Sequence, residues 1–173
     1  MKVKDAMKTD VGACSTEDNL MKVAEMMRLR DCGVVPLLDE HKKIVGMLTD
    51  RDVCLAIAAR NRKASDVKAG DLSEGKAVTC LAEDDLESAL RKMRKYQIKR
   101  LAVAGETGEL VGILSIADVV LTVRKDKSLK KKIYSTIKAI VQPRPIVLRE
   151  IAESNPAIED MFAVSPEDKT SNL

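Results

Sequence analysis

Apolar positions along the chain fall into two alternating rhythms. Leu20, Val23, Ala24 and Met27 stand at i, i+3, i+4 and i+7, the spacing of one helical face, and Leu86, Ala89, Leu90 and Met93 repeat it. Asn19 and Asp85 sit immediately before these faces, where a side-chain oxygen caps a helix start. Each face is followed by a short continuous apolar run, residues 34–38 and 101–104, which reads as a buried strand. A polar turn (39–43, 105–109) leads to a second apolar run (44–48, 110–114), and a helix is predicted to open after Thr49 and after Ser115. A short strand near 11–14 or 77–80 precedes each set. The predicted order is strand, helix, strand, strand, helix, twice over, which is a mixed α/β (α+β) fold.

The two sets are copies. A shift of 66 aligns residues 14–57 with 80–123 without a gap, with 13 identities in 44 positions, among them Glu17/Glu83, Asp18/Asp84, Gly46/Gly112, Leu48/Leu114 and Asp52/Asp118. Asp5 and Asp71 extend the match upstream. One unit of about 60 residues buries little surface alone. Two such units packed through their sheets are expected to share a core, as a pseudo-twofold module with a cleft between halves. The division is residues 1–62, 63–124 and an extension, 125–173.

The chemistry concentrates in one octet and its copy. Gly46, Thr49, Asp52 and Val53 recur as Gly112, Ser115, Asp118 and Val119. The pattern sets a glycine in a strand, a hydroxyl at the strand-to-helix junction and a carboxylate three residues on. A carboxylate there can accept hydrogen bonds from the two hydroxyls of a ribose, with phosphate near the helix start. The same string is also a capping box, a purely structural device. Either copy taken alone reads as a cap more often than as a site.

With its repeat length, element order and both octets, the stretch from residue 1 to about 124 resembles tandem cystathionine-β-synthase (CBS) domains, the Bateman module. The resemblance implies a stand-alone, non-enzymatic regulatory pair that binds an adenosyl ligand between its halves: AMP, ADP or ATP, with S-adenosylmethionine also compatible. It implies that the Asp52 site takes Thr49 and Asp52 from the first half and Val78, Lys99 and Arg100 from the second. The Asp118 site takes Ser115 and Asp118, with Gly12, Gly33 and Val34 from the first half. Lys99 and Arg100 face Gly33 and Val34 in the alignment, so the Asp52 site is expected to hold phosphate more tightly. The Asp118 site, lacking that charge, is expected to be weak, empty or suited to a less anionic adenosyl ligand. The family also implies a homodimer and a protein target whose identity is unknown.

Composition narrows the alternatives. Three aromatic residues, Tyr96, Tyr134 and Phe162, cannot build a base-stacking platform, so an adenine here is held by aliphatic side chains and backbone. The net charge of +3 is unevenly placed: residues 124–138 carry seven cations against Asp126, which leaves −3 for the rest. Nucleic acid is therefore not the expected partner, and contact through the basic C-terminal helix is the minor alternative, beside a purely structural adaptor role. Cys14, Cys32, Cys54 and Cys80 form no CxxC and the chain has one histidine, His41, so neither a metal site nor a catalytic triad is expected. No apolar run is long enough for a membrane span and the first ten residues lack a signal-peptide core, so a cytoplasmic protein with free thiols is expected. In the extension, Leu129, Ile133, Ile137 and Ile140 have helical spacing up to Pro143, with the stripe set to pack on the module or on a second chain. A further short helix is expected over 146–152 and a polar, frayed end over 165–173.

Overall fold

The computed structural model describes residues 1–73 and 77–143. The elements are β1 (Cys14–Ser15), α1 (Leu20–Leu29), β2 (Val34–Leu38), β3 (Ile44–Thr49) and α2 (Asp50–Arg60), then β4 (Thr79–Leu81), α3 (Leu86–Tyr96), β5 (Arg100–Ala104), β6 (Leu110–Ser115) and α4 (Ile116–Thr122), and finally α5 (Lys127–Val141). They form two three-stranded sheets, β1-β2-β3 and β4-β5-β6, each with one parallel and one antiparallel pairing. The leading strands start later than the apolar pattern places them, because only residues from Cys14 and Thr79 onward find a partner, on Leu37 and Ala102. The hairpins even share a register irregularity, at Leu37/Leu38 and Val103/Ala104.

The halves do not share one core. Leu20, Val23, Met27, Val35, Leu37, Leu48, Val53 and Ala56 belong to one buried cluster. Leu86, Ala89, Leu90, Met93, Leu101, Val103, Leu114 and Val119 belong to another. The strand alternation explains the split. Val35 and Leu37 turn to the first cluster and Leu101 and Val103 to the second, which leaves Val34, Pro36, Ala102 and Ala104 on the opposite sheet faces. These are buried too, and β3 contacts β5 between the halves. The hairpin turns meet through an antiparallel bridge between Lys43 and Glu109.

The segment leading into each repeat packs on the other repeat. Val3 N donates to Asp84 O (2.9 Å), Lys4 N to Ala82 O (3.0 Å) and Leu86 N to Met1 O (3.1 Å). Shifted by 66, the same bonds recur: Ala69 N to Asp18 O (2.7 Å), Gly70 N to Thr16 O (2.9 Å) and Leu20 N to Val67 O (3.0 Å). Val3 and Ala6 accordingly lie in the second cluster, and Val67 and Ala69 in the first. The exchange is reciprocal, so each half is completed by the leader of its neighbour.

Local expectations fare differently at the two N-caps. Asn19 accepts from Lys22 N at 3.0 Å, as a cap should. Asp85 occupies the cap position of α3 without a capping bond, because its carboxylate turns to Lys2, 3.0 Å away in the leader. Ala24 is exposed, whereas its counterpart Leu90 is buried with Leu129 and Ile133 of α5. α5 packs on α3 and α4, so Leu129, Ile133 and Ile140 of its apolar stripe lie on the second half while Ile137 is exposed, with Lys132 paired to Glu87 and Gln97 Nε2 donating to Ala139 O at 2.9 Å. The helix expected over 146–152 and the polar end over 165–173 lie outside the described residues.

Candidate functional site

Each octet folds into a corner where a strand hands over to a helix. In the first half the hairpin register pairs Val34 with Thr49 and Val35 with Leu48. The second pair faces the core, so Val34 and Thr49 stand side by side on the other face. Thr49 Oγ1 accepts from Asp52 N (3.2 Å), while Thr49 N (2.8 Å) and Thr49 Oγ1 (2.7 Å) both donate to Asp52 Oδ2. That is a complete capping box on α2. It uses one carboxylate oxygen; Oδ1 of the exposed Asp52 has no hydrogen-bond partner among the described residues. Asp50 N donates to Gly33 O at 3.2 Å, and a Cβ on Gly33 would stand 2.9 Å from Asp50 Oδ2. Gly12 lies against α1, where a Cβ would meet Met26 Sδ at 2.7 Å.

The second corner has the same construction. Arg100 pairs with Ser115 while Leu101 and Leu114 face the core. Ile116 N donates to Lys99 O at 2.9 Å. Ser115 Oγ accepts from Asp118 N at 3.1 Å, and Ser115 N (3.0 Å) and its hydroxyl donate to Asp118 Oδ2. The fold thus sets Lys99 and Arg100 next to Ser115 within their own half, and Gly33 and Val34 next to Thr49 within theirs. Val78 is half-buried against the second cluster.

The corners differ at their free oxygen. Asp118 Oδ1 faces Lys8 Nζ at 3.4 Å, with the Asp118 side chain 12% exposed and that of Lys8 70% exposed. Lys8 comes from the leader and is fixed there by two backbone bonds, Lys8 N to Ile113 O and Ile113 N to Lys8 O, both 2.9 Å. The Asp118 corner, expected to lack the charge of Lys99 and Arg100, thus has a cation at its carboxylate. The exchanged leader delivers one from about 110 residues away in sequence. A signal for it was present in Gly112. A glycine inside a strand marks close backbone approach, and a Cβ there would sit 2.8 Å from Lys8 O.

Other polar groups have structural explanations. Asp18 and Asp84 accept from Ser15 N (2.8 Å) and Leu81 N (3.1 Å) and lie near Lys22 and Lys92. The four cysteines are free. Burial raises the Cys14 thiol pKa and pushes that of Cys80 up to about 11, as for small apolar residues of a core. Among the described residues no group of three or more His, Cys, Asp and Glu could hold a metal ion, and no helix is long and apolar enough to cross a membrane.

Two duplicated β-α-β-β-α halves with a hydroxyl–carboxylate corner in each define a tandem repeat module of the kind the octets suggest. The CBS domain family model matches at residues 3–59 and again at 69–125, and the chain belongs to that family. Among curated relatives, CBS domain-containing protein YhcV of Bacillus subtilis is 31% identical over 130 residues, covering 73% of this chain and 88% of that one. Hypoxic response protein 1 of Mycobacterium tuberculosis is 29% identical over 116 residues, covering 67% and 80%. The crystal structure of Hypoxic Response Protein I, with two coordinated zinc ions, superposes with a TM-score of 0.66 at 27% identity, over 72% of this chain and all of that one. The fold is also that of the CBS domain protein PAE2072 from Pyrobaculum aerophilum complexed with AMP (TM-score 0.64, 23% identity, 78% and 99% covered). The CBS pair of protein MJ0100, in complex with 5-methylthioadenosine and S-adenosyl-L-methionine, has a TM-score of 0.62 at 23% identity, with 70% and 98% covered.

Proposed function

We propose that this CBS pair is a non-enzymatic regulatory module that binds an adenine nucleotide (AMP, ADP or ATP) and passes its occupancy to a contact with a second copy or a protein target. One observation carries the reading. In both corners the cap consumes Oδ2 of the aspartate and holds the carboxylate rigid, while Oδ1 lies outside the capping box. A fixed carboxylate oxygen beside a strand end suits the two hydroxyl donors of a ribose. The aliphatic and backbone groups assigned to the two sites, Gly12, Gly33, Val34 and Val78, suit an adenine ring held without aromatic stacking. Lys99 and Arg100 are the cations assigned to a phosphate at the Asp52 site. AMP, 5-methylthioadenosine and S-adenosylmethionine, seen with PAE2072 and MJ0100, share that adenosyl half. Among the described residues, Asp84 and Asp85 are engaged structurally, one holding a turn and the other the leader. Signalling requires different ligand affinity for two states of the module.

The test is calorimetry with AMP, ADP, ATP and S-adenosylmethionine on the full chain, with melting temperatures alongside. A ligand of the folded state raises the melting temperature by mass action. Binding that disappears when Asp52 and Asp118 are both changed to Asn supports the reading. Failure of all four ligands to bind refutes it in favour of an adaptor without ligand.

A further inference from the structure

We infer that Lys8 is the specificity-determining cation of the Asp118 corner and selects adenine ligands that carry phosphate over uncharged or cationic adenosyl ligands. The inference rests on the nucleotide-binding reading above and adds a residue and a charge rule to it. Three observations converge. The leader backbone is clamped to β6 by the reciprocal Lys8–Ile113 bonds, and Gly112 alone permits that approach. The clamp fixes the Cα of Lys8 but leaves its side chain mostly in solvent, so Nζ can move while its origin cannot. Its present partner is Asp118 Oδ1, the oxygen a ribose would take, because Oδ2 is consumed by the cap.

A ligand whose ribose engages Oδ1 must displace the ammonium. An adenosine gives the displaced cation nothing in return. A nucleotide supplies phosphate oxygens within reach of the same flexible arm, so one charge-assisted contact is exchanged for another. A sulfonium such as that of S-adenosylmethionine is repelled by the same charge. The corner therefore ranks its ligands by charge.

Titrations are run with adenosine, AMP, ATP and S-adenosylmethionine on the full chain carrying Asp52→Asn, which isolates the Asp118 corner, with and without Lys8→Gln. Lys8→Gln removes only the exposed head group and leaves the backbone clamp. The expected result is about a tenfold or greater loss of AMP and ATP affinity, no loss for adenosine, tighter S-adenosylmethionine binding, and recovery of AMP affinity in Lys8→Arg. Added salt should weaken ATP binding in the Lys8 chain more than in the Gln chain. Unchanged AMP and ATP affinity overturns the inference. So does equal tightening of all ligands, which would make Lys8 a mere competitor for the carboxylate. An equal loss for adenosine and AMP also overturns it, as leader displacement. If the wild-type chain binds no adenine compound, the regulatory reading itself falls. If it binds them with no dependence on Lys8, only this inference falls.

Discussion

Replacing Gly112 by alanine tests whether the leader exchange holds the second half together. The added Cβ would stand 2.8 Å from Lys8 O, which accepts from Ile113 N at 2.9 Å in a residue whose own N–H donates back to Ile113 O at 2.9 Å, and 2.9 Å from Met7 Sδ. The sulfur can move, but the carbonyl can move only by breaking the clamp. Two backbone bonds at about 1 kcal/mol net each give a cost of about 2 kcal/mol. Lifting the leader further would also expose Val3, which is fully buried, for another ~1.5–3 kcal/mol. Against this, alanine in a strand regains roughly 0.5–1 kcal/mol of backbone entropy. The balance is a loss of about 1–1.5 kcal/mol if only the clamp breaks, or a melting temperature lower by roughly 2–6 °C for a chain of this size, and about 2.5–4.5 kcal/mol if Val3 is exposed as well. The repeat supplies the control. A Cβ on Gly46 meets the Ser73 hydroxyl at 2.3 Å, the tip of a side chain that can rotate away, so Gly46→Ala should cost less than about 1 kcal/mol. Urea unfolding of both variants, with hydrogen exchange at Val3, Lys4 and Lys8, reads the difference. If Gly112→Ala is no less stable than Gly46→Ala, or the leader amides keep their protection, the clamp is not what the glycine is for.

Asp52→Glu and Asp118→Glu should change stability by less than about 1 kcal/mol, since a capping box accepts glutamate, yet each should lose most nucleotide binding at its corner by calorimetry. Ile133→Ala, at a position 6% exposed between α5 and α3, should cost about 2–4 kcal/mol in denaturant unfolding, whereas Lys132→Met removes a half-buried pair with Glu87 and should cost under about 1 kcal/mol. Burial raises the Cys80 thiol pKa from 9.0 to about 11, so between those values the unfolded chain loses a proton that the folded chain keeps. The contribution of Cys80 is therefore full below pH 9 and is lost as the pH rises through about 11; Cys80→Ala should flatten that part of the stability profile. A thiol reagent at pH 8 should label the exposed Cys54 in the folded protein and Cys80 only after unfolding.

The element order was legible because two periods, 3.6 and 2, alternate cleanly and do so twice. β2 begins and ends where the apolar run does, and Val119 is buried behind Ser115 as the octet requires. The leader exchange was not legible. The leader is a charged segment with too few apolar residues to show a period, and its backbone partners, Asp84 for Val3 and Ala82 for Lys4, lie about 80 residues away. For the same reason two clusters replace the single shared core expected from the repeat. Hydropathy says that Val34 and Ala102 are buried, but only the strand register says that they turn away from their own half's core. Asp85 shows the limit of a local rule: the cap residue is right, yet Lys2 from the leader offers a charged partner, and its carboxylate pKa is held below the usual carboxylate range by that hydrogen bond.

The cap and the ligand site are not competing explanations of the same string. A capping box needs one carboxylate oxygen, a hydroxyl and two backbone amides, and both corners satisfy it in full with Oδ2. An aspartate has a second oxygen, and its short side chain makes the position of that oxygen follow from the cap. The structural device therefore preorganises the functional one, removing the rotamer entropy that a free carboxylate would lose on binding. What separates one corner from the other is not the string, since Thr49 and Ser115 do identical work. It is the neighbours: Lys99 and Arg100 beside Ser115 where Gly33 and Val34 stand beside Thr49, and, at the second oxygen, Lys8 at Asp118 but among the described residues no hydrogen-bond or ion-pair partner at Asp52. The difference at the second oxygen is set by tertiary structure, because Lys8 reaches Asp118 only through a leader that belongs to the first repeat in sequence and to the second in space.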